Sequence, residues 1–401
     1  MSATTGLVLV INAGSSSVKY QLVDPESGTT HATGLVERIG EESTRASSRH
    51  TRAGAQPAEA ELDVPDHATA MQVVLAAFAE HGPALHESAL RAVGHRVVHG
   101  GSRFSAPAVI DDTVLAAIDD LVPLAPLHNP GNLAGIRAAR SAFPDIAHVA
   151  VFDTAFHQTL PAHAYTYAVP RSWRDVHRVR RYGFHGSSHS YVSRRTAALL
   201  DRPAEQVNVI VLHLGNGASA AAVAGGRSID TSMGLTPLEG LVMGTRPGDL
   251  DPALALHMTR HGLSIEEYDK ALNTASGLVG LTGTNDFREV TELLAQGDPD
   301  ARLAIDVTAY RLAKYVGAYA VALGRLDALA FTGGIGEHSP LLRAEVVDHL
   351  GLLGVTLDPG RNESGSAERR VSADDSQVPV FVVPTNEELE IARQTVAALH
   401  D

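Results

Sequence analysis

A chain of 401 residues, 44% hydrophobic and 19% charged, is too apolar for a disordered polymer and long enough for two or three domains, with room for a cleft between them. Its formal charge of −14, uninterrupted by any Lys/Arg block, argues against a nucleic-acid backbone or an anionic membrane as partner. The lack of cysteine excludes disulfides, thiol nucleophiles, Cys-ligated zinc and iron–sulfur clusters, and with no basic leader and no apolar run of spanning length it predicts a cytoplasmic protein.

In chain order, Leu7 to Ile11 is a β-branched run that breaks at Asn12-Ala13-Gly14-Ser15-Ser16-Ser17 and resumes as Val18 to Val23. That pattern predicts strand, polar loop, strand. Lysine is confined to Lys19, Lys270 and Lys314, so Lys19 beside a Gly/Ser loop stands out. Between Glu41 and Asp66 the chain is polar, and exposed hairpins or loops are expected there. Helical spacing marks Thr113 to Val122, Asn132 to Phe143, Tyr191 to Leu200, Pro252 to His261 and Ala301 to Leu323. Strands are expected at His148 to Phe152, Val207 to Leu214, Ala220 to Val223, Ala328 to Thr332 and Val378 to Val383. A last helix, Glu387 to Leu399, takes its cap from Thr385 or Asn386.

The unit Val207 to Val223 repeats the plan of the first hairpin, with Gly215-Asn216-Gly217 in place of the first loop. Two such turns imply a duplicated α/β architecture in which unpaired amides cradle phosphates. Neither is a Walker A loop, since a strand and not a helix follows, and no Rossmann fingerprint is present. Polar clusters are expected just after apolar strands, the ligand end of such folds: Asn12 to Ser17, Gly94 to Gly101, Phe152 to His157, Gly183 to Gly186, His213 to Gly217 and Thr332 to Glu337, with Gly244 to Asp249 in a Gly/Pro-rich loop. The histidine pairs His95/His99 and His185/His189 lack the pattern of a zinc helix and are read as phosphate and structural contacts.

Three stretches stand together: Val10-Ile11-Asn12-Ala13-Gly14-Ser15-Ser16-Ser17-Val18-Lys19, then Gly183-Phe184-His185-Gly186-Ser187-Ser188-His189, and Asp230 to Pro252 with Thr236-Pro237-Leu238-Glu239-Gly240 and Gly244-Thr245-Arg246. Through them, and over nearly its whole length, the sequence resembles the acetate kinase family, part of the acetate and sugar kinase, heat-shock ATPase and actin superfamily. Pro247, where serine is common, and Ser187, for the usual threonine, depart from the pattern. The implied fold is a duplicated ribonuclease H-like (actin-like ATPase) two-domain α/β fold with an active-site cleft between the domains. Residues 1–153 and 387–401 would form the first domain, and 154–386 a second that binds nucleotide and supplies a dimer interface. The implied reaction is reversible Mg²⁺-dependent phosphoryl transfer from ATP to acetate, giving acetyl phosphate and ADP, with Mn²⁺ as a possible substitute metal.

By the same resemblance Arg246 and His185 hold the transferring phosphoryl; a surface ion pair and a satisfied core histidine are the ordinary alternatives. Arg96 grips the carboxylate or phosphate of the second substrate, or else forms a strand-edge ion pair; its apolar flanks demand an anion nearby on either reading. Asp153 corresponds to the family's acidic catalytic position. Its role stays open between positioning through Arg96 and organising Mg²⁺, because acetate is already deprotonated at neutral pH and needs no general base. Asn12 and Glu387 take the metal positions, although an acidic first turn would also explain Glu387. Ser15, Ser17 and Lys19 reach phosphate from the first hairpin unless that loop is simply solvated. His213, Leu214, Gly215, Asn216 and Gly217 form the second phosphate loop. Asp286, Phe287 and Arg288, with Gly333, Gly334, Ile335, Gly336 and Glu337, take the nucleoside end. Val98, Leu127, Phe184 and Pro237 line the acyl pocket, with His128 in the cleft unless His-Asn-Pro-Gly is only a turn. A pocket of that kind separates acids differing by one methylene weakly, so propionate or butyrate kinase is the near alternative. A nucleotide-gated binding module and a phosphatase on the same scaffold are the remote ones. A homodimer is expected, with the helix Ala301 to Leu323 either at its interface or in the core.

Overall fold

In the computed structural model, which describes residues 6–41, 45–83, 85 and 90–400, the first hairpin forms as β1 (Leu7–Ala13) and β2 (Ser17–Val23), antiparallel with Asn12 opposite Lys19. The chain divides into two compact units, one running to Phe156 and resuming at Asn386, the other His157–Thr385.

In the first unit β2 pairs with β3 (Thr30–Glu37), followed outward by β4 (Ala46–Arg52) and β5 (Ala58–Leu62), all antiparallel. On the other side of β1 lie β6 (Leu90–Val97) and β8 (Ala147–Phe152), both parallel, with β7 (Ala108–Val109) at the edge. Among the described residues the sheet has eight strands in the order β5-β4-β3-β2-β1-β6-β8-β7. The polar stretch expected as exposed hairpins or loops is thus a hairpin that widens the sheet; residues 42–44 of it lie outside the described residues. Its inward positions are Ala46, Ser48 and His50, all buried. Small and polar side chains there hide the period-two signal that a row of valines would have given.

One face of this sheet is covered by the helix His67–His81, whose Asp66 cap accepts a hydrogen bond from the Thr69 amide, and by the helix Asn129–Ala142. Ala70, Met71, Val74, Phe78, Ala138 and Ala139 pack on Leu9, Ile11, Tyr20 and Leu22 in one core. Burial of the larger of these side chains contributes about 1.5–3 kcal/mol each, so packing rather than propensity holds the helices. The terminal helix Glu387–Ala398 packs on β1, β6 and β8, with the Asn386 side chain accepting from the Leu389 amide and Arg393 donating to the Pro25 carbonyl.

The second unit repeats the wiring. β9 (Asn208–Leu214), β10 (Ala218–Ala224) and β11 (Arg227–Thr231) run antiparallel, and β12 (Ala328–Thr332) and β14 (Val380–Val382) continue parallel from β9, with β13 (Arg369–Arg370) at the edge. Among the described residues its order is β11-β10-β9-β12-β14-β13. Three antiparallel strands joined to two parallel ones through the first strand occur in both units, which is the duplicated ribonuclease H-like arrangement. Helices Gly186–Leu199 and Pro299–Leu323 pack on this sheet. Among the described residues no helix is long and apolar enough to cross a membrane.

Candidate active site

Not every expected cluster follows a strand. Gly94 to Val97 lies inside β6, and Gly183 to Gly186 precedes a helix with no strand before it. The remaining clusters do sit at strand ends.

In the first unit the parallel neighbours β6 and β8 bring Arg96 to Asp153, directly after β8. The guanidinium grips both carboxylate oxygens, Nε to Oδ1 at 3.0 Å and Nη2 to Oδ2 at 2.5 Å, while Nη1 donates to Asn12 Oδ1 at 3.3 Å. A bidentate fork of this kind is the strong form of a charge-assisted bond. Burial works against the Arg96 charge, but Asp153 and then Glu387 outweigh it and raise its pKa. Burial raises Asp153, Arg96 pulls it back part-way, and Glu387 adds to the rise. Burial likewise raises Glu387, opposed by Arg96 and reinforced by Glu388. One half-buried guanidinium therefore serves two crowded carboxylates. Lys19 stays exposed, and its Nζ meets Glu388 Oε1 at 2.5 Å at the start of the terminal helix.

The loop after β1 has its carbonyls tied back. Ala13 O accepts from Asn132 Nδ2 at 2.6 Å, Gly14 O from His67 Nε2 at 2.7 Å, Ser16 O from the Ile39 amide at 3.0 Å and Ser17 O from the Gly14 amide at 2.8 Å. No acceptor among the described residues takes the Ser15 and Ser16 amides. Such a turn, with carbonyls averted and amides unspent, suits an anion. The sequence reading missed the side chains that shape it. Asn132 also accepts from the Val98 amide at 3.0 Å, and Asn129 spans the His99 backbone through both its amide atoms. Their signal was two asparagines one helical turn apart after the His128 turn, and both are buried. Gly131 is required between them, because a Cβ there would lie 2.6 Å from the Gly14 carbonyl.

In the second unit His185 opens the helix Gly186–Leu199 with left-handed φ 56 and ψ 28, a conformation uncommon outside glycine, although histidine adopts it more readily than most residues. Its Nδ1 is 2.9 Å from Ser219 Oγ and its ring stacks on His213, centroids 4.4 Å apart. His213 Nδ1 meets Ser188 Oγ at 2.7 Å, and Ser188 meets Thr385 Oγ1 at 2.8 Å. Arg246 Nη1 donates to the Pro237 carbonyl at 2.7 Å. A Cβ on Gly217 would lie 2.8 Å from Arg246 Nη2 and 3.4 Å from His185 Nε2. Glycine there keeps the turn open to both side chains. Burial lowers the Arg246 pKa, and no carboxylate among the described residues is paired with it.

Beside this point lies a cavity of about 1510 Å³ lined by Gly215, Asn216, Asp286, Phe287, Arg288, Gly334 and Ile335 among others. Those seven of the residues expected at the nucleotide line one cavity, while His213, Leu214, Gly217, Gly333, Gly336 and Glu337 do not line it. Parallel pairing of Thr332 with His213 sets the loops after β9 and β12 side by side, Leu214 against Gly333. Asp286 caps the helix Phe287–Ala295 and pairs with Arg288 at 2.6 Å; bonds from that side chain and from its amide lower the Asp286 pKa to about 2. Glu337 turns back on its own loop, accepting from the Gly333 amide at 2.9 Å and the Thr385 amide at 3.2 Å. Of the expected acyl-pocket residues, Val98 and Phe184 are buried, Pro237 is half-buried and Leu127 is 63% exposed. His128 stands at the start of the helix Asn129–Ala142 and draws the Asp153 pKa down slightly.

No group of three or more His, Asp or Glu side chains that could hold a metal occurs among the described residues. Asn12 and Glu387 share the Arg96 guanidinium as a neighbour. Two hard oxygen donors in a crowded acidic pocket fit a Mg²⁺ that retains waters and substrate oxygens, not a closed protein cage.

A tied-back loop, a half-buried arginine with no carboxylate partner and a duplicated ribonuclease H-like frame define a phosphotransferase. A model of the Acetokinase family matches residues 7–393. The chain is 60% identical over 394 residues to the acetate kinase of Leifsonia xyli subsp. xyli, covering 98% of each chain. Among solved structures it resembles Porphyromonas gingivalis acetate kinase, with TM-score 0.93, 41% identity and coverage of 98% of this chain and 100% of that one. It also resembles a propionate kinase of Francisella tularensis subsp. tularensis, with TM-score 0.91, 42% identity and coverage of 97% and 98%. The chain belongs to the acetokinase family.

Proposed function

We propose that this protein catalyses the reversible, Mg²⁺-dependent transfer of the terminal phosphoryl group of ATP to acetate, giving acetyl phosphate and ADP. The observation that carries the reading is the turn at Gly217, where a half-buried Arg246 without a carboxylate partner and His185 Nε2 face one small volume. In-line transfer needs little covalent help but demands fixed positive charge and donors around the moving phosphoryl. Arg246 and His185 supply them. The loops at Asn12 to Ser17, with Lys19, and at His213 to Gly217 orient phosphate oxygens. Arg96, held by Asp153, orients the acceptor carboxylate. Asn12 and Glu387 would hold Mg²⁺, which neutralises phosphate charge when bound; Mn²⁺ suits the same donors.

The acceptor side belongs on this reading to the first unit and the nucleotide to the second, in the cavity beside Phe287. Acetate is favoured over longer acids because relatives at 53–60% identity are named acetate kinases. The cysteine-free composition suits the cytoplasm.

The test is ATP- and Mg²⁺-dependent acyl phosphate formation, trapped with hydroxylamine, from acetate, propionate and butyrate. Acetate should be the best acceptor, and Arg246→Ala should lower kcat at least about 10³-fold. ATP hydrolysis indifferent to all three acids would overturn the reading.

We also propose a homodimer formed through the helix Pro299–Leu323. Leu303, Tyr310 and Val321 are exposed and fall on one stripe of that helix. Light scattering should report a dimer for the wild type and a monomer for Leu303→Glu/Val321→Glu. An unchanged dimer would remove this face from consideration.

A further inference from the structure

What His185 can do for a phosphoryl group depends on which ring nitrogen carries its proton. Its Nδ1 lies 2.9 Å from Ser219 Oγ, and the same hydroxyl lies 2.8 Å from His189 Nε2. A hydroxyl has one hydrogen to give. Ser219 can therefore donate to one ring while accepting from the other, and the direction is set by His189.

His189 is fully buried and its Nδ1 has no hydrogen-bond partner. A proton on Nδ1 would be an orphaned buried N–H, which native structures avoid more strictly than an idle lone pair. Burial, with His157 and His213 close by, holds the His189 pKa well below its ordinary 6.5, so the ring is neutral. Its single proton then sits on Nε2 and is donated to Ser219 Oγ. The Ser219 hydrogen must turn to His185 Nδ1, which presents a lone pair. The proton of neutral His185 is left on Nε2, the nitrogen that faces the Gly217 turn beside Arg246.

We infer that His189 and Ser219 are positioning residues that lock His185 in the tautomer whose Nε2–H is a donor to the transferring phosphoryl oxygens. The inference rests on the reaction proposed above and deepens it. The opposite tautomer would aim a lone pair at anionic oxygens. The left-handed backbone of His185 agrees with this assignment: strained conformations at non-glycine residues persist where the side chain is needed. His189 and Ser219 reach no reacting atom on this account; they act only through His185.

The experiment uses the full chain labelled with ¹⁵N-histidine, His185→Gln serving to assign the His185 signals. Long-range ¹H–¹⁵N correlation should place the His185 proton on Nε2 in the wild type. The same should hold for His189→Gln, whose amide nitrogen can take the place of Nε2. Ser219→Ala and His189→Phe should lose that preference. In the hydroxylamine assay they should lower kcat about 10²-fold with little change in KM for ATP, whereas His189→Gln should stay near wild type. A wild-type His185 protonated on Nδ1, or a folded Ser219→Ala variant with undiminished kcat, would overturn the inference. A wild type that shows the Nε2–H tautomer but makes no acyl phosphate would instead overturn the proposed reaction.

Discussion

Arg96 and Asp153 lie 57 positions apart, yet each is the other's main electrostatic partner. The arginine's apolar flanks in the sequence implied a buried cation that needs an anion. They could not say whether that anion belongs to the protein or to a substrate, because β6–β8 pairing is not written locally. The structure supplies Asp153, and the guanidinium keeps one edge toward Asn12. Removing one partner of a buried pair leaves the other charge uncompensated, typically at about 3–5 kcal/mol. The Arg96 side chain is 20% exposed, so Asp153→Asn should fall near the lower end, about 3 kcal/mol. Urea denaturation would read it, with Arg96→Met/Asp153→Asn recovering part of the loss. If Asp153→Asn were as stable as wild type but inactive, Asp153 would act on substrate directly instead of through Arg96.

At the scale of elements, the helix Asn129–Ala142 fixes the loop after β1, which is proposed to bind phosphate. His-Asn-Pro-Gly reads as a turn because Asn, Pro and Gly each favour one. In fact Pro130 sits in the first helical turn, where its missing amide costs nothing, and the helix starts earlier than its apolar stripe. What the sequence could not disclose is that Gly131 and Asn132 face the backbone of residues 13–14 from another element. Gly131→Ala should raise KM for ATP at least about tenfold, since a Cβ 2.6 Å from a carbonyl must push the loop aside. Asn132→Ala leaves the Ala13 carbonyl and the Val98 amide without partners, at about 1–3 kcal/mol each. Calorimetry and ATP kinetics on the two variants separate the effects: Gly131→Ala should act mostly on KM, Asn132→Ala on both. A Gly131→Ala enzyme with wild-type kinetics would mean the loop has slack that this packing denies.

Across the whole molecule, the duplicated hairpins were legible because strand, loop and strand are contiguous, whereas the strand orders rest on parallel pairings across long separations and left no local mark. The same separations bury histidines in pairs no spacing foretells: His95 Nε2 on His148 Nδ1 at 2.9 Å, and His157 between Ser228 Oγ and the Phe184 carbonyl. Burial lowers the pKa of His50, His95, His148, His157 and His189, that of His157 to about 4. With the folded value below the unfolded 6.5, the unfolded chain binds the extra proton between them. Stability from these groups is then complete above pH 6.5 and is lost as pH falls toward the folded values. Desolvation raises the pKa values of the carboxylates Asp153, Asp230 and Glu387, which oppose the trend. Between pH 7.5 and 5.5 each strongly shifted histidine should cost about 1.4 kcal/mol, so midpoints in urea should fall clearly over that range. His157→Gln, which can keep the bond to the Phe184 carbonyl without the ability to protonate, should flatten the profile by about that amount. A wild-type midpoint indifferent to pH over this interval would mean that these rings meet solvent or a counter-charge before the chain unfolds.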